Sequence, residues 1–444
     1  MRFVTTRGGP AVSFSTALFE GLAPDGGLYV PASIDPWSAD EIAQLPAASL
    51  ADLAARVLRP FTRGELDDAK LIEGVRAALN FPIPLVEVEP HVYALELFHG
   101  PTLAFKDVGA RVMARLMAAL HDGGAPITVL VATSGDTGSA VAHAFHGVPN
   151  TRVVVLYPEG RVSPTQEAQL AMFNDAEGPT NVRAYALGGT FDDAQRLAKA
   201  AFADRELRRR VRLTSANSIN IGRLLPQMIY YFHAVGQLER TGHASQPAVI
   251  VTPSGNFGNL TAGLMAKRTG LPVARFIAAT NVNDVVPQYL STGRFEPHAS
   301  LETLANAMDV GNPSNFDRMS SMYGGDVNAM RRDVAGSRHE DNDVREAIRR
   351  LYRQRGHVLD PHSAIGYLGL QEWREREGRN SADRPGIFLA TAHPAKFAEI
   401  VEPIIGRPIE KPAPLVSALA RPRHVVRMPV TLEALRERLT CADQ

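Results

Sequence analysis

Cysteine is almost missing from this sequence: Cys441 stands alone, near the C-terminus. No intrachain disulfide can form, a cysteine-built zinc site is excluded, and a catalytic thiol is not expected. Lysine is scarce too. Of 47 basic residues only Lys70, Lys106, Lys199, Lys267, Lys396 and Lys411 are lysines, so few candidates exist for chemistry that needs an amine. Neither sign of charge is in excess, since 47 Lys and Arg face 47 Asp and Glu. That balance argues against a nucleic-acid binder held by counterion release and against a polybasic membrane-surface protein. No apolar run reaches the ~18 residues of a membrane span. The nearest, Leu224 to Leu238, is broken by Pro226, Gln227 and His233. Met1 to Gly9 lacks the apolar centre of a signal peptide, so the expected location is the cytoplasm. No two glycines are separated by a single residue, no Gly-Lys pair occurs, and there is no His-Glu-x-x-His. These absences exclude the dinucleotide fingerprint, the P-loop and the zincin motif.

What remains is an ordinary enzyme composition: 444 residues, 45% hydrophobic and 21% charged. Such a length accommodates about two or three structural units. Residues 1–85 read as a small, mostly helical unit, with a turn at Pro24 to Gly27 and a helical pattern over Ala39 to Leu58. From Pro82 short apolar runs alternate with helical patterns, the signature of mainly parallel α/β architecture. Ile127 to Val131, Val153 to Tyr157, Ala248 to Val251, Phe276 to Ala279 and Ile387 to Ala390 are the clearest strands. Two open α/β lobes are expected, over 86–245 and 246–444. Arg205 to Arg212 reads as a solvated basic helix end, and Trp373 to Arg379 as an exposed helix closing near Gly378. The polar stretch 312–343 reads as a mobile insertion that could serve as a lid.

Ligands in open α/β sheets bind at the carboxyl ends of strands, so the loops there carry the chemistry. Ser254-Gly255-Asn256-Phe257-Gly258-Asn259 follows a strand and opens a helix. Glycines let backbone N–H groups approach an anion, and the helix N-terminus adds partial positive charge without a lysine. Thr133-Ser134-Gly135-Asp136-Thr137-Gly138 is a second loop of this kind, suited to a carboxylate, although an ordinary N-cap would look the same. It is not the G-x-S-x-G of a nucleophile elbow. Lys106, beside Phe105 and ahead of a helical segment, could have its amine pKa lowered by desolvation. A lysine with a phosphate cradle is what pyridoxal phosphate requires. Lys396 is less suited to that role and fits a helix surface. His357 and His362 flank Asp360 without a third ligand in view, so no metal is expected.

In-order blocks across nearly the whole chain now carry a family resemblance. They are Gly21 to Pro31, Leu97 to Asp107, Ala132 to Gly138, Ser215 to Asn220, Pro253 to Asn259 and Thr391 to Phe397. The sequence resembles the threonine synthases, in the branch similar to the enterobacterial and fungal enzymes, within the β-family (fold type II) of pyridoxal-phosphate enzymes. The resemblance implies that Lys106 holds the cofactor as an imine and then shuttles protons. Gly255, Asn256, Phe257, Gly258 and Asn259 would bind its phosphate, with Phe105 alongside. Thr391 would place a hydroxyl at the pyridine nitrogen. Ser134, Gly135 and Thr137 would take the substrate carboxylate. Asp136 stands where related enzymes place an asparagine near the phenolic oxygen, so it would be protonated or paired with the protonated imine. The implied substrate is O-phospho-L-homoserine, with L-threonine and phosphate as products. Asn217, Asn220 and Arg223 are candidates for the leaving phosphate, because guanidinium matches phosphate geometry. No nucleic acid, membrane or obligate protein partner is expected.

Two rival readings stay open. Another β-family reaction, such as hydroxyamino-acid dehydration or phosphate elimination to a 2-oxo acid, could run on the same frame. A catalytically silent relative would bind the cofactor or a metabolite without turnover, but the intact Lys106, Thr391 and glycine loops argue against it.

Overall fold

The continuous apolar runs become buried strands with both faces covered. In the computed structural model, which describes residues 1–133, 135–174, 180–242, 246–378, 383–422 and 424–440, β1 (Phe3–Thr5) and β2 (Tyr29–Pro31) pair antiparallel near the N-terminus. There follow the hairpin β3 (Leu85–Glu89) and β4 (Val92–Glu96), then β5 (Ile127–Ala132), β6 (Thr151–Pro158), β7 (Val182–Leu187) and β8 (Arg212–Ser215). The remaining strands are β9 (Ala248–Pro253), β10 (Val273–Thr280), β11 (Val334–Arg338), β12 (Gly386–Ala390) and β13 (Val426–Met428). Every residue of β5, β9 and β12 is buried, as expected of central parallel strands covered by helices on both faces.

Two larger sheets result. One runs β11-β10-β9-β12-β4-β3, parallel except for the β3–β4 hairpin, and the other runs β13-β7-β6-β5-β8, parallel throughout. The α/β class and the two-lobed arrangement match the sequence reading. The boundaries differ: β3 and β4 join the sheet of the second lobe, and β13 crosses back to the first. An apolar strand announces itself in sequence, but its partner is chosen by packing, and β4 finds β12 almost 300 residues away, with Val92 opposite Gly386.

Local signals explain the N-terminal unit. The helical pattern over Ala39 to Leu58 divides into Ala39–Ala43, a 3₁₀ turn Leu45–Ala47 and a helix Leu50–Thr62. Pro46 cannot continue the first helix, and the Ser49 hydroxyl caps the second by accepting from the Asp52 N–H. Glu65 closes the helix Phe14–Glu20 by accepting the N–H groups of Phe14 and Ser15 at 2.7 and 2.8 Å.

The stretch 312–343 is not a polar surface insertion. It forms the helices Phe316–Met322 and Val327–Asp333 and the edge strand β11, with Asn315 and Arg318 fully buried. Arg318 donates to the carbonyls of Tyr29, Ser218 and Ile219 and to Asn315 Oδ1, so its charge is spent as an internal strut joining the N-terminal unit to the second lobe. Arg205–Arg210 is the solvated helix end expected, with Arg210 paired to exposed Glu206. Trp373 to Glu377 closes the helix Pro361–Glu377, capped at Gly378, while Arg379 lies outside the described residues.

Candidate active site

Four strand-end loops converge between the lobes. β4 runs into the turn 97–105, which is stitched to the segment after β12: Leu97 N–H donates to Ala390 O at 2.9 Å, Phe105 N–H to Thr391 O at 2.8 Å, and His393 N–H to Leu103 O at 3.0 Å. Asp107, fully buried, accepts both the N–H and the hydroxyl of Thr102, at 2.9 and 2.7 Å, which shapes the turn that delivers Lys106 to the start of the helix Lys106–Leu120. Lys106 and Thr391 are thereby fixed side by side by backbone bonds.

Lys106 is densely surrounded by protein but partly open to solvent. Burial, helped by the charges of Lys396 and Arg223, lowers its pKa against the attraction of Asp136 to about 8. The amine still carries its proton for the most part at neutral pH, but it loses that proton far more readily than an exposed lysine, which favours the free base that imine formation requires. Its ammonium position lies 5.8 Å from the centre of the Phe105 ring.

After β9 the loop Ser254 to Phe257 turns into the helix Gly258–Arg268. Among the described residues the N–H groups of Gly255, Asn256 and Phe257 donate to no acceptor. Phe257 is turned into the left-handed region, φ 58°, which a bulky residue adopts only under local constraint. A Cβ on Gly255 would lie 2.7 Å from Met308 Cα, so only glycine lets the loop run this close to its neighbour. The side chains of Asn256 and Asn259 are occupied internally. Asn256 donates to Ser218 Oγ at 2.8 Å and accepts from Ser314 N–H at 2.6 Å, while Asn259 donates to Pro253 O at 3.1 Å. The donors this loop leaves free for an anion are backbone groups, and the two asparagine side chains bond within the protein.

The second loop follows β5. Thr133 Oγ1 accepts from the N–H groups of Gly135 and Gly138, both at 2.9 Å, and holds the turn from which Asp136 and Thr137 open the helix Asp136–Phe145. Gly135 has φ 134° and faces Gln166 so closely that a Cβ would lie 2.5 Å from it. Ser134 lies outside the described residues.

Asp136 is the electrostatic centre of the site. Burial alone would raise its pKa, but Lys396, Lys106 and His362 hold it well below the usual carboxylate range. These cations favour its carboxylate form. Its oxygen Oδ1 pairs with Lys396 Nζ at 2.8 Å and accepts from Gln166 Nε2 at 3.1 Å. Lys396 is no surface residue: it is fully buried, and its ammonium also donates to Thr102 O at 2.9 Å. Neither Lys396 nor Gln166 was legible as a site residue, because burial by segments far apart in the chain leaves no local signal.

The phosphate candidates separate. Asn220 is fully buried and has no donor left, since its amide donates to Leu18 O and Ser215 O and its oxygen caps Gly222 N–H. It is scaffold. Asn217 donates to Ala132 O at 3.3 Å and keeps a buried Oδ1 without a partner among the described residues. Arg223 is buried, donates through Nη1 to Ala216 O at 2.6 Å, and leaves Nε without a partner among the described residues. His362 donates from Nδ1 to Asp360 at 2.7 Å and accepts Ala307 N–H at Nε2, so its two nitrogens serve packing. No group of three or more His, Cys, Asp or Glu side chains is arranged for a metal among the described residues. Nor is any described helix long and apolar enough to cross a membrane.

These features fit pyridoxal phosphate: a lysine with a depressed pKa, and a loop of unbonded N–H groups at a helix N-terminus that a Cβ would close. Comparison with known proteins agrees. Residues 79–387 match the family of pyridoxal-phosphate dependent enzymes, 2–79 the threonine synthase N terminus and 363–438 the threonine synthase C-terminal family. The chain belongs to the threonine synthase family. It is 44% identical over 426 residues to the Serratia marcescens threonine synthase, covering 96% of each chain. The Escherichia coli threonine synthase structure superposes with a TM-score of 0.89 at 42% identity, covering 99% of both chains. A pyridoxal-phosphate-bound threonine synthase from Brucella melitensis gives 0.91 at 37% identity, again covering 99% of both. The fold is that of the fold type II pyridoxal-phosphate enzymes, the cofactor is pyridoxal phosphate, and the activity is that of a threonine synthase, a lyase.

Proposed function

We propose that the chain converts O-phospho-L-homoserine and water into L-threonine and inorganic phosphate, with Lys106 as the catalytic lysine. The observation that carries this reading is an amine of lowered pKa and a buried arginine beside two glycine-bearing strand-end loops, in a chain of this family. The reaction removes one proton from Cβ, breaks the bond between Cγ and the phosphate oxygen, places a proton on Cγ, and adds the water's hydroxyl to Cβ, the water's other proton ending on the released phosphate. Pyridoxal phosphate, when bound, withdraws electrons from the substrate's amino-bearing carbon and so acidifies the neighbouring C–H bonds.

The chain's own residues do the rest. Backbone N–H groups of Gly255, Asn256, Phe257, Gly258 and Asn259 receive the cofactor phosphate at the helix N-terminus. The Thr391 hydroxyl meets the pyridine nitrogen. Being neutral, it cannot stabilise a charged ring as a carboxylate would, which moderates electron withdrawal. Phe105 lines the lysine. Lys106 Nζ first holds the cofactor, then takes the Cα proton and moves protons at Cβ and Cγ, which its lowered pKa allows near neutral pH. Ser134, Gly135 and Thr137 receive the substrate carboxylate, while Asn217 and Arg223 receive the phosphate that leaves, held in place by the Asn220 scaffold.

Incubation of the cofactor-loaded protein with O-phospho-L-homoserine tests this, with phosphate and threonine quantified together. Equal amounts of both are expected. Phosphate accompanied by a 2-oxo acid would make the reaction an elimination without hydration, and neither product would refute the substrate.

A further inference from the structure

We propose that Lys396 is a positioning residue for the site's lysine chemistry: its buried ammonium is paired to the Asp136 carboxylate and so restrains the pull of that carboxylate on the proton at the Lys106 nitrogen. The inference rests on Lys106 being the cofactor-bearing lysine.

The geometry is unusual for a lysine. A long charged side chain normally lays its stem on apolar surface and keeps its head in water. Lys396 instead sits on the 3₁₀ turn Pro394–Phe397 with no exposed surface, and its head is directed inward to Asp136 Oδ1 at 2.8 Å and Thr102 O at 2.9 Å. Burying an ammonium is unfavourable unless it is paired and hydrogen-bonded, and here it is both. Through these bonds one charge ties together three segments that build the site: the turn before Lys106, the loop opening at Asp136, and the stretch after Thr391.

Two lysines thus share one carboxylate, but unequally. Asp136 is in contact with Lys396 and bears on Lys106 through charge alone. The ammonium bonded to Asp136 disfavours a second positive charge at Lys106. The surrounding groups point the same way. Arg223, from the helix Ile221–Leu224, adds a second repelling cation to Lys106. Asp107, next in sequence to Lys106, accepts the N–H and hydroxyl of Thr102, and burial raises its pKa. Asp136 feels Lys396, Lys106 and His362, with Gln166 donating to it. No described carboxylate other than Asp136 is bonded to Lys396. Asp136 is in this way committed to holding charge rather than to donating a proton.

The test follows the cofactor's visible absorption band against pH in the holoenzyme, a readout independent of turnover. Lys396→Met removes a repelling cation and releases the full charge of Asp136 toward Lys106, so the midpoint should rise by about one pH unit or more. Lys396→Arg keeps the charge and should stay with the unmodified protein. Asp136→Asn keeps the shape and an acceptor for Lys396 but removes the negative charge, so its midpoint should fall by about one unit. These shifts run in opposite directions, which a purely structural strut would not produce. An unmoved midpoint in Lys396→Met, or an equal shift in Lys396→Arg, overturns the proposal. If Lys396→Met fails to fold or to load, Asp136→Asn decides alone, and an unmoved midpoint there is equally fatal. Borohydride reduction and peptide mapping check the underlying reading separately. Label on the Lys106 peptide upholds it, and label on Lys396 ends both.

Discussion

Phe105 donates its backbone N–H to the carbonyl of Thr391 at 2.8 Å, so the residue before the lysine is bonded to the residue assigned to the cofactor ring. The N–H of Thr391 donates to Ser363 Oγ at 3.1 Å, and Ser363 in turn donates to Asp360. Both backbone groups of Thr391 are therefore occupied, and the hydroxyl is what it has left to offer. Thr391→Val keeps the branched shape and removes that hydroxyl. We expect kcat to fall about tenfold to a hundredfold, the effect of one lost hydrogen bond of ~1–3 kcal/mol. Steady-state kinetics with a melting curve checks it. Unchanged kcat would remove Thr391 from the site, and a large loss of stability would make it a strut.

A lysine held at a lowered pKa costs stability. At pH 7 Lys106 is protonated in the unfolded chain and, in the cofactor-free fold, must carry its charge in an environment that disfavours it. Lys106→Met should raise the melting temperature of the cofactor-free protein by about 2–4 °C at pH 7. The sign of the pH dependence follows from the depressed pKa. Between about 8 and 10.5 the folded chain sheds a proton that the unfolded chain keeps, so the unmodified protein gains stability with rising pH. The advantage of Lys106→Met should shrink across that window and be lost above it. A constant difference across pH would mean that the methionine acts through packing alone.

How much of this was visible in the sequence depended on what each residue's neighbours were. β5, β6, β9, β10 and β12 were legible because burial on both faces leaves an unbroken apolar run. β8 and β11, Arg-Leu-Thr-Ser and Val-Ala-Gly-Ser-Arg, are short edge strands without that signal. The glycine loops and Lys106 showed themselves through local order, a strand, small residues and then a helix. Lys396 did not, since its burial depends on Asp136 and Thr102, each more than 250 residues away. Asn220 misled in the opposite direction: an amide in a loop beside the site looked available, yet its bonds to Leu18, Ser215 and Gly222 consume it. Residues 312–343 read as solvated because they are polar, whereas Asn315 and Arg318 satisfy their polarity inside the protein.

Gly255→Ala tests the cradle directly. The added Cβ would sit 2.7 Å from Met308 Cα and 3.1 Å from Ala307 O, both backbone atoms that cannot swing aside. The loop must retreat and its N–H groups with it. Cofactor affinity should fall at least tenfold, measured by titration of the cofactor-free protein, while the melting temperature without cofactor changes by much less than it does with cofactor bound. Equal losses in the two states would show a packing defect and not a phosphate site.

Arg223 offers the sharpest choice between strut and ligand. Its Nη1 bond to Ala216 O is a structural contact, but among the described residues Nε is buried without an acceptor and no carboxylate is bonded to the guanidinium. Burial lowers its pKa to about 10, which leaves it cationic at neutral pH. A buried cation lacking a bonded anion is what an incoming phosphate would complete. Arg223→Gln should raise KM for O-phospho-L-homoserine at least tenfold and weaken inhibition by inorganic phosphate in parallel, with the cofactor still bound. Arg223→Lys should recover little, because an ammonium cannot reproduce two parallel N–H donors. If KM and phosphate inhibition stay unchanged while stability drops, the guanidinium serves Ala216 alone, and the leaving phosphate must be received by Asn217 and the Gly135 to Thr137 loop.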